Sequence, residues 1–221
     1  MEGHADFCER PLGPVLGITG MALHPSSIAL HDLPAHTLVE AYRSRALSPV
    51  EVTHAVLAHI DRWEPHLHAT YLLRPEQALE QARASEQRWL QGAPLGALDG
   101  VPTTIKENIA TQGDPVPLGT AAVTLVPAAA DAPPAARLRE AGAVLVAKTT
   151  MPDYGMLSSG VSSIHAQARN TWDLRTTPGG NSAGGGAEAA AGYGPLPIGT
   201  DIGCLRRRHA DWWCIDSTKP S

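Results

Sequence analysis

The chain has 221 residues, of which 43% are hydrophobic and 18% charged, and a formal net charge of −5. This is the composition of a folded globular protein, not a disordered one, and the acidic balance argues against a general nucleic-acid or anionic-membrane surface. The three cysteines, Cys8, Cys204 and Cys214, form no Cys-x-x-Cys pair, which argues against a disulfide scaffold or a structural zinc site. No run of about 18 apolar residues is present to cross a bilayer. Residues Glu2, His4, Asp6, Glu9 and Arg10 open the chain without a secretory pattern, so cytoplasmic residence is the expectation. Residues 1–26 read as a disordered extension in which Met21 begins a more ordinary start.

Along the chain, Leu38, Val39, Tyr42 and Ala46 recur at helical spacing over residues 35–46. Ser48, Pro49 and Glu51 then supply an N-cap, a proline at the first helical position and an acid at the third. That helix carries Val52, Ala55, Val56, His59 and Ile60 and is expected to stop before Pro65. A third helix begins near Pro75, with Ala78, Leu79, Ala82 and Trp89 on one face, and ends at Gly92 and Pro94. Three consecutive helices predict a helical layer over residues 27–94. Residues 95–221 predict a sheet core. A short strand at 101–105 leads to a helix at 133–141 stopped by Gly142, then to the buried-type strand AVLVAKTT at 143–150. After the glycine-rich run from Thr176 come an Ala-rich helix at 187–191 and a strand at 196–199. This alternation gives an α/β fold.

Three places could carry chemistry. The glycine run 179–186 could present backbone N–H groups to an anion, or be a tight turn where backbone packs closely; it lacks the Gly-Lys-Ser/Thr ending of a phosphate loop. Lys106, followed by Glu107 and Asn108, is either a solvated ion pair or a desolvated lysine able to act as a base. PLPIGTDIG at 195–203 could turn backbone amides into an oxyanion hole, or be an ordinary Asp-containing turn. The histidines carry no ligand pattern: His54 and His59 are five apart, and His66 and His68 flank no second pair.

Taken together, GVPTTIKEN and TPGGNSAGGGAEAAAGYGPLPIGTDIG resemble the amidase signature family, which hydrolyses carboxamides with a Ser–cis-Ser–Lys triad. MPDYGMLSSG and RNTWDLRTTPGG extend the resemblance, which covers roughly residues 27–221. It implies a mixed β-sheet flanked by helices, incomplete here because the C-terminal half of the family domain is missing, and no metal or organic cofactor. By the same resemblance the lysine is Lys106, the cis-Ser position is Asn181 and the nucleophile position is Leu205. Backbone amides of Ile202, Gly203 and Cys204 would hold the oxyanion, and Ser158, Ser159, Gly160, Gly179, Gly180 and Ser182 would line the pocket loops.

The departures bear directly on the chemistry. A serine must lose its proton to attack an amide, yet Asn181 has no hydroxyl to relay one and Leu205 offers no nucleophile. Residues 204–218 leave the family pattern except at Ala210, Trp212 and Ile215, and regain it at Lys219-Pro220-Ser221, as a slipped and restored reading frame would produce. The reading is therefore an amidase-family protein acting on a small-molecule amide, impaired in catalysis. The alternatives are a non-catalytic fragment or pseudoenzyme, or a subunit-like component of a tRNA-dependent amidotransferase. No nucleic-acid or membrane partner is expected. An incomplete sheet would expose apolar surface and favour homo-oligomers or aggregation.

Overall fold

The computed structural model describes residues 29–157 and 159–200. A short 3-10 turn at Leu30–Asp32 precedes α1 (Ala35–Ser44) and α2 (Pro49–Leu67). The chain then forms strand β1 (Thr70–Leu73), helix α3 (Pro75–Leu90), strand β2 (Pro102–Lys106), helix α4 (Pro133–Glu140), strand β3 (Val144–Thr149), helix α5 (Ala183–Ala191) and strand β4 (Leu196–Ile198). The sheet order is β1-β3-β2-β4, with β1 antiparallel to β3 and the other two pairings parallel. This is the mixed α/β sheet flanked by helices that the sequence implied.

Helix α2 starts as its sequence dictates. Ser48 Oγ accepts from the backbone of Val50 and Glu51, and Glu51 Oε2 accepts from the Ser48 N–H at 2.8 Å, so donors that a helix start leaves unsatisfied are reciprocally paired. Its end differs from expectation. The helix runs through Pro65 to Leu67 and closes at His68, which is left-handed at φ 49°. Proline removes only one helical hydrogen bond so near the terminus, and the fully buried Leu67 draws the last turn into the core.

The second difference is β1. Residues 70–73 lie between the second and third predicted helices and join the sheet edge, so the N-terminal segment is not helical throughout. TYLL is only four residues long and half-buried along its length, too short to stand out beside two strong helical patterns. The third difference is the start of α5 at Ala183 instead of residue 187. Three successive glycines disfavour a helix intrinsically, but Gly184 lies so close to the ends of β1 and β3 that a Cβ would collide with the Ala69 carbonyl and sit 2.6 Å from Thr150 N.

Two apolar cores result. One joins Leu38, Tyr42, Val56, Ile60, Ala78 and Ala187 to β3 on one face of the sheet; the other packs Ile105, Ile109, Ala135, Leu138 and Leu145 on the opposite face. β2 and β3 are buried at every position. The exposed apolar sheet surface expected above is therefore not found among the described residues: helices cover both faces. The larger exposed apolar side chains are divided between Leu90, Leu95, Leu125 and Val126 and the irregular segment from Tyr154 to Leu174, including Met156, Leu157, Val161 and Trp172.

The turn that delivers β2 is fixed by Asp99. Its buried carboxylate receives Arg88 Nε at 2.9 Å, Arg88 Nη2 at 2.7 Å and Leu95 N–H at 2.7 Å, while Trp89 Nε1 donates to its backbone carbonyl. Burial alone would raise the Asp99 acid, but the hydrogen bonds from Arg88 and Leu95 outweigh it and hold the carboxyl below its ordinary value. A depressed carboxyl contributes stability above its unfolded value, and that contribution is lost as pH falls through the folded one. Asp99→Asn is expected to cost about 3 kcal/mol near neutral pH. The difference from wild type should shrink below about pH 4, as checked by urea denaturation over a pH series.

Candidate active site

The C-terminal ends of the parallel neighbours β2 and β4 meet at one edge of the sheet. β2 ends at Lys106, and two residues beyond β4 comes Thr200. Lys106 is fully buried, and its Nζ donates to Thr200 Oγ1 at 2.8 Å. Asn108 Nδ2 donates to the same oxygen at 3.3 Å. The solvated ion pair that a lone lysine at a strand end suggests is thus overturned: the side chain points inward, to a hydroxyl.

The glycine run arrives from the other side. Gly179 and Gly180 both adopt positive φ, 67° and 71°, which glycine tolerates and other residues rarely do. Gly180 bridges to Ser159 on the neighbouring loop. At the next loop position Gly160 has φ 70°, and a Cβ there would lie 2.9 Å from that of Ala183. Asn181 follows, fully buried, with neither side-chain polar atom hydrogen-bonded among the described residues. Ser182 is buried at the N-terminus of α5, and its Oγ donates to the Thr200 carbonyl at 3.3 Å. Every peptide bond among the described residues is trans, so the cis peptide implied by the resemblance is not found at Asn181. The loop turns there on its two left-handed glycines instead.

The structure therefore brings Lys106, Ser182, Gly179, Gly180 and Gly160 together through Thr200 and the loop bridge, with Ser159 exposed at the rim. Ser158, Ile202, Gly203, Cys204 and Leu205 lie outside the described residues, as do the extension 1–26 and the irregular stretch 204–218.

Sequence reasoning missed two features. Thr200 joins the lysine to the glycine loop; the turn TDIG was noted for its amides, not for this hydroxyl. The second is the neighbour of Lys106. Glu107 is fully buried, accepts from Met151 N–H at 2.7 Å, and pairs with His165 Nε2 at 2.8 Å. This pair pins the loop that carries Ser159 and Gly160 to the end of β2. The adjacent serines are structural. Ser162 Oγ donates to Gly119 O and accepts from two backbone N–H groups, and Ser163 Oγ donates to Asp153. A second buried lysine, Lys148, faces the other side of the sheet, where it donates to Ile109 O and Thr111 Oγ1; burial pushes its amine below the ordinary value against the opposing pull of Asp114 and Glu107.

Among the described residues no group of three or more His, Cys, Asp or Glu could hold a metal ion, and no helix is long and apolar enough to cross a membrane.

The described site is thus a mixed α/β sheet that buries a lysine at a strand end beside a glycine-rich turn. Comparison with known proteins identifies the family of the chain. The Amidase family model matches residues 51–204, and the chain belongs to that family. It is 38% identical over 192 residues to a glutamyl-tRNA(Gln) amidotransferase subunit from Chloroflexus aurantiacus, covering 87% of this chain and 39% of that protein. A crystal structure of an amidase superposes with a TM-score of 0.75 at 29% identity, over 80% of this chain and 41% of that one. A bacterial aryl acylamidase of the amidase signature enzymes gives a TM-score of 0.68 at 29% identity, over 76% of this chain and 35% of its own. The chain thus spans about two-fifths of the length of the curated relatives it matches.

Because the Lys106 and Asn108 donors share one hydroxyl acceptor, Thr200→Val should lower stability by about 2 kcal/mol by leaving buried donors short of an acceptor. Thr200→Ser, which keeps the oxygen, should restore most of it. Thermal denaturation of the two variants side by side checks this.

Proposed function

We propose that this chain is an amidase-family protein whose site is built for hydrolysis of a carboxamide C–N bond to carboxylate plus ammonia or amine, and that catalysis is impaired at two of its three side chains. The observation that carries the reading is Lys106, buried at the end of β2 and hydrogen-bonded beside the glycine loop. In the Ser–cis-Ser–Lys mechanism an unprotonated lysine accepts a proton through the bridging serine from the nucleophilic serine. The resulting alkoxide adds to the amide carbonyl, and the tetrahedral oxyanion is held by backbone amides. Collapse expels the amine, which takes the proton back from the lysine, and water then cleaves the acyl-serine ester.

At Asn181 the relay has a carboxamide in place of a hydroxyl, and at Leu205 the nucleophile has a hydrocarbon. The amides of Ile202, Gly203 and Cys204 remain the proposed oxyanion donors. Ser158, Ser159, Gly160, Gly179, Gly180 and Ser182 remain the proposed pocket wall. Residues 27–221 are proposed to form one family domain behind the extension 1–26, in a cytoplasmic protein. Homo-oligomer formation or aggregation remains a proposal, without the exposed sheet surface that was expected to drive it.

The relatives' name favours a second reading. Several of the most similar curated proteins are subunits of glutamyl-tRNA(Gln) amidotransferases, so a subunit-like role, in which a partner chain completes the site, fits the same residues.

The test is ammonia release from a panel of simple carboxamides, together with labelling by a fluorophosphonate that traps activated serines. The wild-type chain is expected to show neither. The double variant Asn181→Ser, Leu205→Ser is expected to gain labelling, and Lys106→Ala in that background to lose it. Ammonia release by the wild-type chain that disappears in Lys106→Ala would refute the impaired site; absence of labelling in the double variant, correctly folded by circular dichroism, would refute the lysine-driven assignment.

A further inference from the structure

Helix α5 carries a glutamate into the core. Glu188 is almost fully buried. Thr104 Oγ1 of β2 donates to its Oε1 at 2.5 Å, while Oε2 has no hydrogen-bond partner among the described residues. From α2, the half-buried Glu64 accepts the Thr70 N–H at 2.8 Å through Oε1 and leaves its buried Oε2 unpartnered. Tyr193, two residues beyond Ala191, buries a hydroxyl that approaches Glu64 but completes no hydrogen bond of ordinary geometry. Three polar oxygens without partners thus collect where α2, α5 and β2 meet. Burial of unpaired polar atoms is costly, and of a carboxylate charge far more so.

We propose that Glu188 is a protonated latch: its neutral carboxyl holds α5, and with it the glycine loop, against the strand that carries Lys106, and its ionisation in alkaline solution loosens that seam.

The surroundings support the neutral form. From α2 the titratable neighbours are Glu64 and His59; His59 Nε2 meets Ala191 O at 2.7 Å and its ring stands edge-on to Tyr193. From β2, Lys106 shares the face of Thr104 by strand alternation and gives its Nζ to Thr200. β3 supplies Val144, Ala147 and Thr149, β4 carries no titratable side chain, and Lys148 faces the opposite side. Burial first, and the Glu64 charge in addition, push the Glu188 acid well above its ordinary value, against the Thr104 hydrogen bond. Burial raises Glu64 as well. Protonation suits the surroundings because a neutral carboxyl costs far less to bury than a carboxylate beside Glu64.

The sign follows from linkage. An acid raised in the folded state does not penalise folding at pH values below its unfolded value. The penalty grows as pH climbs from there toward the folded value and is complete above it. Glu188 sits six residues past Ser182 and contacts β2 two residues before Lys106, so its ionisation acts on both halves of the candidate site.

The test uses the full 221-residue chain and needs no turnover, so its outcome is independent of whether the site hydrolyses amides. Urea midpoints measured from pH 5 to 9 are expected to fall toward alkaline pH in the wild type. In Glu188→Gln, which keeps the shape without the titration, the excess of the midpoint over wild type should be small at pH 5, just above the unfolded glutamate value, and widen steadily to pH 9. Infrared spectra of the wild type at pH 7 should show the C=O stretch of a protonated carboxylic acid in the folded protein, lost on unfolding. Amide exchange at Gly184–Ala191 should accelerate with pH beyond base catalysis, an excess absent from Glu188→Gln. If the variant fails to fold, the wild-type infrared and exchange measurements still decide. An ionised carboxylate at pH 7 with no protonated-acid band, or equal pH slopes in wild type and variant, overturns the proposal.

Discussion

A lysine side chain shut away from water must find its hydrogen-bond acceptors inside the protein, and at Lys106 that requirement organises the ends of two strands. Its Nζ reaches a hydroxyl that lies two residues past β4, so the parallel pairing of β2 with β4 has to bring those ends level. The register Thr103↔Leu196 through Ile105↔Ile198 does so. Burying a polar group without such a partner would cost about 1–3 kcal/mol. Anything that slides β4 along β2 therefore separates the lysine from this acceptor as well as breaking the ladder.

The glycine loop is held to the same point by close contact more than by charge. Gly184 brings α5 against the ends of β1 and β3 more closely than any side chain would allow. Ser182 then spans from the helix start to the Thr200 carbonyl, and a Cβ on Gly199 would sit 3.1 Å from Ser182 Oγ. Helix, loop and strand end thus share Thr200: its carbonyl is taken by Ser182, its hydroxyl by Lys106 and Asn108. One residue with two oxygens fixes the relation of three elements, which is why small residues crowd around it.

Much of this was legible from residue order. The capping box at Ser48 and Glu51, the proline starts of α2, α3 and α4, the glycine stop at Gly142, the short strand at 101–105 and the buried-type run of β3 are local signals, and the helices and strands follow them. What escaped was set by contacts between distant parts of the chain. β1 is a strand because β3 offers it an edge, not because four residues of TYLL insist on it. α5 begins early because Ala69 and Thr150 leave room only for glycine. Pro65 stays helical because Leu67 is drawn into the core. At the candidate site, the lysine and the glycine loop could be read from motif spacing, but Thr200 could not, since its role arises only when β4 is laid beside β2. The Glu107–His165 pair spans 58 residues, and no local pattern marks it.

Ancestry and chemistry separate cleanly in this molecule. The strand carrying Lys106, the left-handed glycines and the tight start of α5 are features that the fold needs in order to pack. The side chain at the proposed relay position stands apart. Asn181 makes this visible: it is fully buried, and its carboxamide has no partner among the described residues. A group retained for stability would be expected to satisfy its hydrogen bonds, since each one missing costs about 1–3 kcal/mol. Among the described residues the carboxamide makes no hydrogen bond, and without a hydroxyl it cannot relay a proton; Gly179, Gly180 and Ser182 fix the backbone on either side of it.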